Sequence, residues 1–232
     1  MTAAYVQSAA SASGTAAFGA NTTIGNCLVA CMQAYGSSSI SAVTTGSSGD
    51  HWTQVKAVTG GLGQVIAIWI DPACTVSKSS VTFTASGGSQ LNIQAYEFSG
   101  MGNAPVLDVE VTRTQSGFGS TTSWTSGTTS SAGAADLRVG LYGGNVSSGG
   151  SSYTVTAPSS PWNCPQGVTT PPAGVAQTNL VSGYYIPGTS GAVTFASTQA
   201  ITGVLWAAIA MAITPGSTGG SGNTGSFLPF FA

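Results

Sequence analysis

Short runs in which apolar and polar residues alternate, each broken by Gly, Ser, Pro or Asn, recur along this chain from one end to the other. That period constrains the fold more than any motif does. A side chain on the same face at every second residue is the mark of a half-buried strand, whereas a helix repeats about every 3.6 residues. Leu137, Val139 and Leu141 point one way with Arg138 between them on the other, and Leu91, Ile93 and Ala95 alternate with Asn92, Gln94 and Tyr96. The runs at 4–8, 26–35, 52–58, 64–70, 81–85, 91–98, 106–112, 123–129, 137–142, 153–157, 180–186, 192–196 and 204–213 therefore read as strands. Their lengths and turn-rich spacing predict an all-β protein, an antiparallel β-sandwich of jelly-roll type occupying 1–214.

Three segments refine that picture. Val204 to Ile213 is apolar on both faces, which reads as a central strand covered on two sides, with a buried helix as the alternative that its alanines leave open. Asp71-Pro72 stops the strand before it, because proline donates nothing to a ladder. Between 157 and 174 stand Pro158, Pro161, Pro165, Pro171 and Pro172, which predicts a long loop and no strand. Repeats of solenoid or propeller period are not visible, nor is a composition break inside the body.

Charge decides which partners such a sandwich can have. Charged residues make up 4% of the 232, and Lys56, Lys78, Arg113 and Arg138 are the whole basic complement. About a quarter is usual. Four scattered cations cannot displace counterions along a phosphate backbone, so nucleic acid is not an expected partner. A basic amphipathic segment for anionic membranes is missing too, and the longest apolar run is too short for a spanning helix, so no membrane insertion is expected. Solubility must rest on Ser, Thr, Asn, Gln and Gly, giving contacts that do not depend on salt. The start of the chain, Met1-Thr2-Ala3-Ala4-Tyr5, lacks the basic and apolar regions of a secretory signal. An exterior suited to the outside world without an export signal fits a virion protein, made in the host cytoplasm and released by lysis, and fits equally well a mature secreted protein whose signal has been replaced by an initiator Met.

Catalytic chemistry is thinly represented. Gly-x-Ser-x-Gly does not occur, and His51 is the only histidine, with Asp50 next to it facing away if both lie on a strand. The Gly-x-Gly-x-x-Gly match at 220–225 precedes no helix. Asp108 and Glu110 would share a strand face at ~6.6 Å, a spacing found in inverting glycosidases but more common on plain solvated strands. Glu97 alternates with the core-facing set and needs a partner: Arg113, Arg138 or a turn amide. Cys27 and Cys31 lie ~13 Å apart on one face, too far to bridge, and read as small buried hydrophobes; a bridge involving Cys74 or Cys164 stays open. No zinc or calcium spacing is present, so no cofactor or metal is expected. Trp69 and Trp206 sit in apolar strands and belong to the core. Trp124 and Trp162, in polar or proline-rich surroundings, are the expected exposed contacts, as interface anchors or, with Tyr184 and Tyr185, a sugar platform.

The end of the chain changes character. Residues 215–226 form a Gly/Ser-rich linker with a reach of roughly 20 Å, and 227–232 is an apolar hexapeptide, Phe227-Leu228-Pro229-Phe230-Phe231-Ala232. Phe227, Leu228, Phe230 and Phe231 on a flexible tether read either as residues that fold back on the body or as a docking peptide for a neighbouring subunit.

The order of several blocks resembles β-sandwich domains of bacteriophage tail and surface proteins. These blocks are Tyr5-Val6-Gln7, Ile24-Gly25-Asn26-Cys27-Leu28-Val29, Gly49-Asp50-His51-Trp52-Thr53-Gln54-Val55, Ala95-Tyr96-Glu97-Phe98-Ser99-Gly100-Met101, Ala104-Pro105-Val106-Leu107-Asp108 and Ala135-Asp136-Leu137-Arg138-Val139-Gly140, closing with the Trp206 strand. The glycine-rich linker with its terminal aromatics is similar to the ends of actinobacteriophage minor tail proteins. The resemblance implies a jelly-roll-like fold and a place in a virion, in the tail or as capsid decoration. It implies partners among other virion proteins and copies of the chain itself, by analogy a trimer, and it carries no catalytic residue. The alternative it leaves is a carbohydrate-binding or host-adhesion module recognising a host surface glycan.

Overall fold

The structure, a computed structural model, describes residues 2–37, 39–45, 51–87, 90–117, 121–146, 153–170 and 178–216. Fifteen strands follow in chain order: β1 Ala4–Ser11, β2 Thr15–Ala17, β3 Cys27–Tyr35, β4 Ile40–Thr44, β5 Thr53–Thr59, β6 Gln64–Asp71, β7 Ser80–Ala85, β8 Gln90–Ser99, β9 Val106–Gln115, β10 Ser123–Ala132, β11 Leu137–Val146, β12 Val168–Thr169, β13 Thr178–Tyr185, β14 Gly191–Thr198 and β15 Val204–Thr214. The fold is all-β, and every strand pairing is antiparallel. Among the described residues no helix is long and apolar enough to cross a membrane.

Two five-stranded sheets form the middle of the molecule, in the orders β1-β8-β3-β6-β5 and β12-β13-β11-β15-β9. They pack face to face. Val29 and Cys31 of β3, Ile66 and Ile68 of β6 and Phe98 of β8 meet Leu137, Val139 and Leu141 of β11 and Ile209 and Met211 of β15. The opposite face of the first sheet, carrying Ala30, Met32, Ala67 and Ile93, is covered by the three-stranded sheet β2-β7-β4 through Ala16, Val81 and Phe83. The opposite face of the second, carrying Trp206, Ala208 and Ala210, is covered by the pair β10-β14 through Trp124, Val193 and Phe195. The molecule is thus four sheets deep with three apolar layers between them.

Strands of the inner sheets are apolar on both faces because both faces are covered. β15 is buried from Val204 to Ile213, as its sequence predicts, and lies between β11 and β9. Close stacking also explains glycine in β11. A Cβ on Gly140 would land in the Phe195 ring and one on Gly143 would strike Ile66, so the second inner sheet contacts its neighbours through bare backbone on both sides.

The stack contains one strand order twice. In β1–β8 the first strand pairs with the last, the last with the third, the third with the sixth and the sixth with the fifth. In β9–β15 the chain of pairings is β9-β15-β11-β13-β12, the same order with one strand fewer. The outer sheets correspond as well: β2-β7 matches β10-β14. Val81-Thr82-Phe83 on β7 has its counterpart in Val193-Thr194-Phe195 on β14, with Val and Phe inward in both. Each central threonine meets a threonine on the neighbouring strand, Thr82 with Thr15 at 2.9 Å and Thr194 with Thr128 at 2.8 Å. Where β4 flanks β7, the second half has, among the described residues, only the isolated bridge Val155↔Gln199. The strand expected over 153–157 is reduced to this bridge. β2, β4 and β12 are additions to the sequence reading, and β12 is a two-residue strand inside the proline-rich segment that predicted none. The antiparallel sandwich expected over 1–214 is present as two sandwiches stacked on their inner sheets.

Candidate interaction surfaces

The two outer sheets turn one face inward and one to solvent, and alternation sorts their residues. On β14, Val193 and Phe195 are buried while Ala192, Thr194, Ala196 and Thr198 are exposed; on β10, Ser123 and Thr128 are exposed. At the other end of the stack Thr15, Ala17 and Thr84 face outward. These faces carry hydroxyls and methyls and no charge.

The same alternation places Trp124 inside, and the loop carrying Trp162 folds that ring inward as well, which corrects the reading of both as exposed contacts. Trp124 is 1% exposed and packs against Tyr142 at 4.4 Å and Phe195 at 5.3 Å between ring centroids. Its polar neighbours Ser123 and Thr125 simply occupy the other face of β10. Trp162 is 9% exposed, packs edge-on to Phe195 and Tyr185, and donates its indole N–H to the Thr194 carbonyl at 3.0 Å. Trp206 is core as expected, and Trp69 is half-buried against the first sandwich's interior. One aromatic of the expected sugar platform reaches solvent in a pair whose other member was not singled out by sequence: Tyr5, 37% exposed, lies parallel to the half-buried Tyr184 with centroids 5.0 Å apart. It spans the seam between β1 and β13, so no local sequence signal could show it. Phe227, Leu228, Phe230 and Phe231 lie outside the described residues.

Asp108 and Asp136 share one backbone donor, while Glu110 and Glu97 are engaged elsewhere. Asp108 accepts a hydrogen bond from the Gly133 amide at 3.2 Å, and Asp136 accepts from the same amide at 2.6 Å. Local desolvation, then the hydrogen bond with the adjoining Asp136, raises the carboxyl of the exposed Asp108 above its ordinary value. Glu110 pairs instead with Lys56 of β5, so the two acids two residues apart do not converge on one space. Glu97 is fully buried and accepts from Thr23 N at 2.7 Å, Asn26 Nδ2 at 2.6 Å and Gln7 Nε2 at 2.7 Å. The turn amide was among its expected partners. Arg138 points elsewhere, to Tyr185 and the Thr189 carbonyl, and Arg113 is exposed. His51 is exposed, and Asp50 lies outside the described residues.

All four cysteines are free thiols. Cys27 and Cys31 are buried in the layer between the inner sheets, as expected of small hydrophobes, and burial pushes the Cys31 thiol up to about 12. The bridge left open for Cys74 or Cys164 is not formed. Cys74 donates to the Thr23 carbonyl at 3.0 Å, and burial raises Cys164 to about 11. Among the described residues no group of three or more His, Cys, Asp or Glu could hold a metal ion.

Two polar arrangements inside the stack escaped sequence reasoning. One is a neutral network across the inner sheets. Gln94 Oε1 accepts from Ser182 N at 2.8 Å, Ser182 Oγ at 2.6 Å and Tyr96 OH at 3.3 Å, and its Nε2 donates to Thr169 Oγ1 at 2.8 Å. Asn92 Nδ2 donates to Gln33 Oε1 and Thr178 Oγ1, and Gln33 Nε2 to the Gly144 carbonyl. The other is an ion pair, Lys78 Nζ to Asp71 Oδ2 at 2.6 Å, with both side chains wholly buried. Read by alternation alone, Asn92, Gln94 and Tyr96 look like a solvated face; only the second sandwich shows what covers them.

No protein-family model matches the chain, and neither a curated protein nor a solved structure is significantly similar to it.

Proposed function

We propose that this chain is a non-enzymatic structural component of a bacteriophage virion, a tail or capsid-decoration protein that works through assembly contacts. The observation that carries the reading is the pair of outer faces. They are strand surfaces of threonine, serine and alanine at opposite ends of a stack whose buried polar groups are largely committed to each other. Such faces offer hydroxyls and methyls for packing that ionic strength does not weaken. The segment 227–232, on its linker at 215–226, is read as the docking peptide that ties one copy to the next, or to another virion protein. A trimer is the assembly by analogy with other virion appendages.

Mass spectrometry of purified particles, beside sedimentation of the isolated chain, tests the reading. The full chain is expected in the particles, and a chain lacking 227–232 is expected to keep the same folded body yet be missing from them. Absence of the full chain from particles, or normal incorporation of the shortened one, refutes it. A second reading, adhesion to a host surface glycan, is favoured by the solvent-facing Tyr5–Tyr184 stack, since an exposed ring face can take a sugar. Host-wall glycan binding lost on Tyr5→Ala would support it, and binding unaffected by that change would count against it.

A further inference from the structure

Of the four basic residues in this chain, Lys78 is used where charge costs most. Its Nζ lies 2.6 Å from Asp71 Oδ2 with neither side chain exposed, beneath the Trp52 ring, whose centroid is 5.9 Å from Nζ. Asp71 Oδ1 is buried and has no hydrogen-bond partner among the described residues. A carboxylate with one bare oxygen in a dry interior is a poor resting state for an ion pair, because desolvation of the second oxygen is not repaid.

The backbone holds both partners in place. Asp71 ends β6, paired with Leu28 of β3. Lys78 precedes β7 and is fixed on both sides of its peptide: its N–H donates to Thr22 Oγ1 at 2.9 Å, and its carbonyl accepts from Thr22 N at 2.8 Å. Between them Cys74 bonds to the Gly25–Asn26 backbone through both N–H and C=O. An amine and a carboxyl so held approach as a near-attack pair, in which the entropy of encounter is already spent; effective molarities in such cases reach about 10⁵ M or more.

We propose that Lys78 and Asp71 are joined by an intramolecular isopeptide bond that forms once the chain has folded. In the reactive form of the pair one ammonium proton sits on Asp71, leaving a neutral amine facing a carboxylic acid. The Nζ lone pair attacks Cγ, and the Cγ–O bond to the protonated oxygen breaks. That oxygen departs as water, taking a second proton from Nζ, and the third proton remains on the amide nitrogen. Nothing is oxidised or reduced. The product replaces two buried charges with a neutral amide and staples the inner sheet, through β6, to the outer sheet, through β7.

The test is the mass of the wild-type chain, purified folded and then denatured, against the mass of its sequence. The bonded chain is lighter by one water, about 18 Da. Trypsin adds the location. Lys56, Lys78 and Arg113 are consecutive cleavage points, so the free chain yields 57–78 and 79–113. The bonded chain resists cutting at Lys78 and yields 57–113 as one light peptide. Lys78→Arg, which keeps the charge but is a poor nucleophile, is expected to restore full mass and cleavage at 78. A wild-type chain of full sequence mass that is cut at Lys78 overturns the proposal, and so does a water deficit in a chain still cut there. Neither result depends on whether the variant folds.

Discussion

Replacing Gln94 with methionine removes the centre of the neutral network between the inner sheets while keeping side-chain length and volume close to native. The cost can be worked from the bonds. Gln94 Oε1 serves Ser182 N, Ser182 Oγ and Tyr96 OH. The two hydroxyls, 2.6 Å apart, can still bond to each other, so one hydroxyl proton and the Ser182 amide are stranded. A stranded buried donor costs about 1–3 kcal/mol. Two of them, less about 1 kcal/mol for no longer burying the glutamine amide, give a loss of about 3 kcal/mol. For a chain of this size that lowers Tm by about 6–12 °C. Urea unfolding followed by tryptophan fluorescence reads it directly. Adding Tyr96→Phe and Ser182→Ala removes the stranded hydroxyls together, so the triple variant should regain about 1–2 kcal/mol over Gln94→Met alone. A Gln94→Met chain within about 1 kcal/mol of wild type, or a triple variant weaker than the single, would refute the claim that this network holds the sandwiches together.

Trp124→Ala should destabilise by about 3–5 kcal/mol, as expected for a buried aromatic, and calorimetry would expose a surface role if the loss were small. The native protein should leave its four thiols almost unreacted toward a disulfide reagent at mildly alkaline pH, since Cys31 is held near about 12 and Cys164 near about 11; denaturant should release all four. Asp108 has a raised carboxyl in the folded state, so the stability it confers when protonated is present below its unfolded value and lost as pH rises through the folded one. Asp108→Asn should therefore raise Tm at neutral pH and leave it unchanged in acid, and an equal effect at both would contradict the assignment.

The strands were legible because alternation is local. β3, β6, β8, β11 and β15 all fall where apolar runs predict them. The short strands β2, β4 and β12 were not, since they are too brief or too polar for a period to register. Trp124 shows how the local signal misleads: its serine and threonine neighbours suggest exposure, although every second residue of an outer strand faces inward. The doubling of the strand order leaves one trace in sequence, Val-Thr-Phe at 81–83 and 193–195, too short to notice before the topology gives it meaning. The Lys78–Asp71 pair was hidden for another reason. Nothing in Asp71-Pro72 or in the serines around Lys78 says that the chain between them folds back beneath a tryptophan.

The outer sheets β2-β7-β4 and β10-β14 cap the stack at its two ends and are built to one plan, including the threonine hydroxyl pair at the middle of each. A body with kindred poles pointing in opposite directions has a valence of two. If the chain assembles as proposed, a partner that reads strand pleat and threonine spacing meets it from either side, and one polypeptide then acts as a linker within a lattice without first forming a dimer.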